Sequence, residues 1–132
     1  MKKLVLFLAF LTFGFSYDVC KEKTMRDVVN TINRQTPMDI DMLTTLLNLT
    51  CINNTFYYRY TIHDANGIKF SELNNYEKGE LNKSMYEQVV NSYCSTPETL
   101  KMFNTLDKVV FNYYLENGTF FMKIEIEKSD CY

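Results

Sequence analysis

The chain has no tryptophan, one histidine and two prolines, and none of its four cysteines stands in a C-x-x-C pair. The scarcity of histidine removes most zinc chemistry, because a site would have to be assembled from His63 and widely scattered residues rather than from a local ligand motif. It also leaves nucleophilic catalysis one candidate base. His63 stands at the end of an alternating segment beside Asp64, no motif supplies it with a serine or cysteine, and it reads as a solvated histidine at a loop edge. Positive charge is not in excess: 14 Lys and Arg stand against 16 Asp and Glu, so nothing draws the chain electrostatically to nucleic acid or to an anionic membrane. Asp39 and Asp41 stand two apart and would share a strand face, but no EF-hand spacing surrounds them and they read as a solvated face. Internal repeats, low-complexity stretches and Pro-rich linkers are absent as well. No catalytic residue, metal ligand or cofactor site is predicted.

What is present begins with an address. Lys2 and Lys3, the apolar run Leu4 to Phe15, and the small residues Gly14 and Ser16 predict a signal peptide over residues 1–16, cleaved before Tyr17. The apolar run is shorter than the ~20 residues that a spanning helix needs, so no stable membrane insertion is expected after cleavage. Residues 17–132 then form one domain, too short for two cores. In an exported chain the even set Cys20, Cys51, Cys94 and Cys131 reads as two disulfides. Cys20 follows Tyr17-Asp18-Val19, which lacks the aliphatic and small residues of a lipobox, so lipidation is not expected.

Met25, Val28, Val29 and Ile32 recur at helical spacing and predict a first helix that Pro37 bars from continuing. From Met38 to Ile52 the apolar phase changes partway, which predicts a long strand with a bulge or break near Leu43 to Thr45. Asn53-Asn54 turns the chain into the alternating run Phe56 to His63. A second helix is predicted from about Tyr76 to Tyr93, and Ser95-Thr96-Pro97-Glu98 starts a short third. Two more alternating runs, Lys108 to Glu116 and Phe120 to Glu127, flank the hairpin turn Asn117-Gly118. The expected architecture is α+β in the order α-β-β-α-(α)-β-β, with a four-stranded antiparallel sheet of two hairpins and the helices packed on one face. Cys51 shares a strand phase with Leu47 and Leu49 under the first helix, while Cys94 and Cys131 end a helix and the last strand. This pairs Cys20 with Cys51 and Cys94 with Cys131.

Tyr57, Val110, Tyr114 and Phe121 fall on the phase opposite the core. They predict an exposed patch among Arg59, Lys123, Glu125 and Glu127 that binds a partner, unless the loop Ile68 to Asn75 or the first helix folds over it. The pattern Asn-x-Ser/Thr occurs at Asn48, Asn53, Asn82 and Asn117. Asn82 also has an acid two residues earlier, Glu80, and is the candidate glycosylation site under the extended bacterial acceptor pattern.

Thr36-Pro37-Met38, the run Phe56-Tyr-Tyr-Arg-Tyr-Thr-Ile62, a helix closing at Tyr93-Cys94, the start Ser95-Thr-Pro-Glu98 and a last strand ending in Cys131 together resemble a group of small exported bacterial proteins. The stretch from the Cys94 helix to Cys131 is similar to pilotins of type II secretion systems, small lipoproteins that bind the C-terminal segment of a secretin. The resemblance implies a periplasmic or secreted, non-enzymatic binding protein with a secretion-accessory role, its partner a secretion-system component. The sequence departs from pilotins at the lipidated cysteine. The alternative is a small enzyme inhibitor of the lysozyme-inhibitor type, whose partner is a target enzyme. A pilotin-like binder needs an apolar groove, an inhibitor a rigid polar loop, and an enzyme a pocket with a perturbed titrating group.

Overall fold

The computed structural model describes residues 17–131, so the predicted signal peptide lies outside the described residues. The apolar phase of each segment decides which side it turns inward. Helix α1 (Lys23–Arg34) presents Met25, Val29 and Ile32 to the core. After a two-residue strand β1 (Met38–Asp39) the chain doubles back into β2 (Thr44–Ile52), which pairs antiparallel with both β1 and β3 (Thr55–Ile62). The turn between β2 and β3 places Asn53 and Asn54 at φ of 49° and 59°, the left-handed backbone that tight hairpins require and that asparagine tolerates. A short 3-10 turn at Phe70–Glu72 leads to α2 (Asn75–Ser95), opened by a reciprocal capping box between Asn74 and Glu77, and then to α3 (Pro97–Met102). Strands β4 (Lys108–Leu115) and β5 (Phe120–Glu127) close the fold as a second antiparallel hairpin.

The expected four-stranded antiparallel sheet is corrected on two points. The sheet has five strands in the order β1-β2-β3-β4-β5, and β3 runs parallel to β4, with Thr55 beside Lys108 and Ile62 beside Leu115. The helical crossover explains the parallel pair: it carries the chain from the end of β3 back to the end where β3 began. The extra strand arises because the expected break falls earlier than Leu43 to Thr45. Asp41 Oδ1 accepts the backbone N–H groups of Leu43 and Thr44, both at 2.8 Å, and this bends residues 40–43 into a turn. The phase change inside the long segment is then taken up by a bulge at Leu47, where the register slips between Leu46 and Asn48.

Leu49, Phe56, Ile62, Val109, Phe111, Ile124 and Ile126 line the inner face of the sheet, and α1 and α2 both pack on that face. Each buried side chain of this size stabilises the fold by about 1.5–3 kcal/mol, which is why a one-residue slip that exposed the set would be costly. The disulfides join Cys20 to Cys51 and Cys94 to Cys131, with Cα atoms 5.4 and 5.3 Å apart, in the expected pairing. Since the Cys20 sulfur is held by Cys51, it is not free to carry a lipid. No helix among the described residues is long and apolar enough to cross a membrane.

Candidate functional site: a groove with an aromatic floor

Helices α1 and α2 are each fastened to one side of the sheet by an asparagine. Asn33 of α1 bonds both backbone groups of Leu49 on β2, at 2.7 and 2.8 Å, and Asn82 of α2 donates Nδ2 to the Lys123 carbonyl on β5 at 3.2 Å. These bonds occupy edge groups that would otherwise invite a further strand. They also hold the helices apart, α1 over β2 and α2 over β5, so the central pair β3 and β4 is covered largely by its own aromatic side chains.

Those side chains form a ladder. Tyr58 stacks on Phe111 with centroids 5.2 Å apart, and Tyr60 stacks on Tyr113 at 5.1 Å, as the parallel register dictates. Tyr93 of α2 meets Phe111 edge-on at 5.5 Å. Two adjoining cavities of about 370 and 240 Å³ lie above this floor and have Asp41, Thr44, Met85 and Gln88 in common. They make one groove, walled by α2 from Leu81 to Tyr93 on one side and by residues 40–44 on the other.

The electrostatics keep the floor uncharged. Burial pushes the Tyr60 and Tyr93 hydroxyls well above the ordinary tyrosine range. Burial, reinforced by the nearby Asp41 carboxylate, pushes Tyr113 up to about 12. At Asp41 burial alone would raise the carboxyl, but bonds from the Thr44 side chain and from the Leu43 and Thr44 backbone outweigh it and hold the pKa below the usual value. The groove is therefore apolar below, lined with neutral hydroxyls, and anionic at one point on its rim.

The predicted patch residues divide. Tyr57 is 36 % exposed on the outer face of the sheet, and Val110 lies beside it, only 3 % exposed beneath its longer neighbours. Tyr114 is half-buried there, with the Arg59 guanidinium 4.1 Å above its ring and Phe120 edge-on at 5.6 Å. Phe121 does not join them. A bulge in β5 pairs Tyr114 with Phe120, which takes the outer position, and turns Phe121 to the helix side against Phe70 at 5.9 Å. Neither Ile68 to Asn75 nor α1 covers the outer face, because Phe70 and α1 both pack into the core.

His63 is not merely solvated. Its Nε2 lies 2.8 Å from Thr45 Oγ1 and its Nδ1 lies 3.0 Å from Glu116 Oε1, a triad-like spacing that no local motif announces. The hydroxyl proton decides what it can do. Thr45 donates to Asp39 at 2.6 Å, so His63 donates to Thr45 rather than receiving its proton, and the threonine is not activated as a nucleophile. Asp39 and Asp41 serve different neighbours, Thr45 and the residue 40–43 turn, instead of acting as a pair. No cluster of three His, Cys, Asp or Glu side chains placed to hold a metal occurs among the described residues. Asn82 donates through Nδ2, the atom to which a glycan would attach, to the Lys123 carbonyl on β5.

No protein-family model matches the chain. A curated relative, Protein K of Escherichia coli, is 32% identical over 98 residues, covering 72% of this chain. The chain spans about half the length of that relative, 49%. Among solved structures, a Pseudomonas aeruginosa protein regarded as secreted superimposes with a TM-score of 0.64 at 11% identity, over 83% of this chain and 91% of its own. Two pilotins of the type 2 secretion system follow. EpsS of Vibrio vulnificus has a TM-score of 0.62 at 10% identity, and AspS of Vibrio cholerae 0.56 at 15%, each over 80% of this chain and 86% of its own. The chain shares their fold. That likeness matches the resemblance read from the Cys94 to Cys131 segment and extends it to most of the domain.

The groove residues Tyr60 and Tyr113 were placed with the core by sequence reasoning and so passed over as a site. Their hydroxyls were the available signal, since phenols on a buried strand phase need polar partners or an opening to solvent.

Proposed function

We propose that the mature domain is an exported, non-enzymatic binding protein of the secretion-accessory kind, which holds an apolar-faced peptide segment in the groove between α2 and residues 40–44. The observation that carries this reading is the groove of two adjoining cavities along one wall of a helix, bordered below by Tyr60, Phe111 and Tyr113, the arrangement that helix-in-groove recognition uses. The shared fold with type 2 secretion pilotins supports a secretin C-terminal segment as the peptide. The disulfide at Cys20 argues for a soluble carrier in place of a lipid-anchored one. Export rests on the signal peptide of residues 1–16 and on the two disulfides.

A second surface is proposed for the outer face, where Ile52, Tyr57 and Phe120 are 51%, 36% and 52% exposed and Arg59 lies over Tyr114. It would act as an accessory contact to the same partner.

The test uses overlapping peptides from the C-terminal segment of a secretin of the producing cell, titrated against the mature domain. Binding is expected, and Val89→Arg, which places a cation over the floor, is expected to weaken it at least about tenfold, as loss of an interface anchor does. Absence of binding, or full binding by a folded Val89→Arg variant, contradicts the reading.

A further inference from the structure

We infer that the segment the groove accepts is an amphipathic helix carrying a lysine or arginine beside its apolar stripe, and that the pairing of this cation with Asp41 selects it from other apolar-faced segments. The inference rests on the groove being the peptide site and adds the chemistry of what enters it.

Asp41 lines both cavities, and it is the only charged side chain that lines either one among the described residues. No lysine, arginine or histidine among those residues forms an ion pair with it. The carboxylate is held in place, because two backbone N–H groups fix Oδ1 at 2.8 Å. Its neighbours across the groove are neutral: Met85, Gln88 and the phenol of Tyr113. An apolar segment laid over this rim would strip water from an unpaired anion and recover nothing, a penalty that disfavours binding. A segment that brings a cation regains the lost solvation as a charge-assisted contact. An acidic segment would add repulsion to the penalty. The same carboxylate thus attracts one class of segment and rejects two.

The geometry also sets the occupant's form. From Leu81 to Tyr93 the α2 wall runs for about 18 Å at 1.5 Å per residue, the length of some three turns of a second helix. Across from it Ile40 is 50% exposed, an apolar side chain on the groove lining that a helix lying there would cover.

The test is a set of three synthetic amphipathic helices that differ at one position beside the leucine stripe, carrying lysine, norleucine or glutamate. Each is titrated by fluorescence anisotropy into the wild-type domain and into Asp41→Asn, whose amide oxygen still accepts from Leu43 and Thr44. The lysine helix is expected to bind the wild type about three- to tenfold more tightly than the norleucine helix, between the strengths of exposed and desolvated pairs. This preference should vanish in Asp41→Asn and shrink in the wild type as salt is raised. If all three bind the wild type equally, or if the preference is insensitive to salt, the role of Asp41 is overturned while the groove reading stands. Should none bind, with short-chain fatty acids or vesicles binding instead, the groove reading itself falls. Even if Asp41→Asn does not fold, a lysine preference that does not fall as salt is raised overturns the role of Asp41.

Discussion

Replacing Cys94 and Cys131 together by alanine is expected to remove about 4 kcal/mol of folding stability, the chain-entropy value for a bridge with a sequence separation of 37. Against a typical net stability of about 5–15 kcal/mol this is a large share. Position matters as well as size. Cys94 lies one residue beyond Tyr93 at the end of the groove wall, and its bridge fastens α2 to the segment that follows β5. Loss of the bridge should therefore weaken peptide binding at conditions where the sheet is still intact. Removing Cys20 and Cys51 gives the contrast, since that bridge ties the first residues of the domain to β2 and touches neither groove wall. It should cost similar stability and leave binding in place. Urea titrations monitored by far-UV and tyrosine near-UV signals check both variants. A Cys94/Cys131 double variant with wild-type midpoint and wild-type affinity would show that the bridge does not support the wall.

Phe111→Ala is expected to destabilise the domain by about 3–5 kcal/mol, the usual range for truncating a buried phenylalanine. The side chain is 4 % exposed, stacks on Tyr58 and receives the edge of Tyr93, so its removal opens a void under the groove and frees two neighbouring rings. Aromatic pairing adds roughly 0.5–1.5 kcal/mol beyond the area buried, which places the expected value toward the upper part of the range. Tyr57→Ser on the outer face is the control. It should shift stability by no more than about 0.5 kcal/mol, because the tyrosine lies outside the core. Thermal melts followed by circular dichroism separate the two. Equal losses at both positions would mean that the outer face is covered after all.

Much of this fold could be read along the chain, and the places where reading stopped have physical causes. The alternation of Phe56, Tyr58, Tyr60 and Ile62, and that of Met122, Ile124 and Ile126, identified strands and their inner faces because the side-chain period depends only on local backbone geometry. The pairing of Cys20 with Cys51 followed from the phase of Cys51 on its strand, and that of Cys94 with Cys131 from their places at the ends of a helix and of the last strand. Strand direction did not, since alternation looks the same in parallel and antiparallel pairs, and only the path of the α2 crossover sets β4 beside β3 in parallel. Phe121 was misplaced for a related reason: a bulge at Phe120 and Phe121 sets those two residues against the alternation that Met122, Ile124 and Ile126 keep, with no mark in residue type. The groove was hidden because Tyr60, Phe111 and Tyr113 were read only as core, and strand phase does not say whether a core ring also borders a cavity. Covering them depends on where two helices sit, and that is set by Asn33 and Asn82, polar residues whose bonds to the sheet are tertiary. The link from His63 to Thr45 and Glu116 is likewise built from residues far apart in the chain.

The central claim is that the inner groove, and not the outer sheet face, is the principal binding surface. Nuclear magnetic resonance mapping of the isotope-labelled mature domain, titrated with the lysine-bearing amphipathic helix, tests it most directly. The account predicts saturable shifts confined to Ile40, Met85, Val89, Tyr60 and Tyr113, with Tyr57, Arg59 and Tyr114 unmoved. Shifts concentrated on Tyr57, Arg59, Tyr114 and Phe120, with the methyl groups of Met85 and Val89 unmoved, would contradict it.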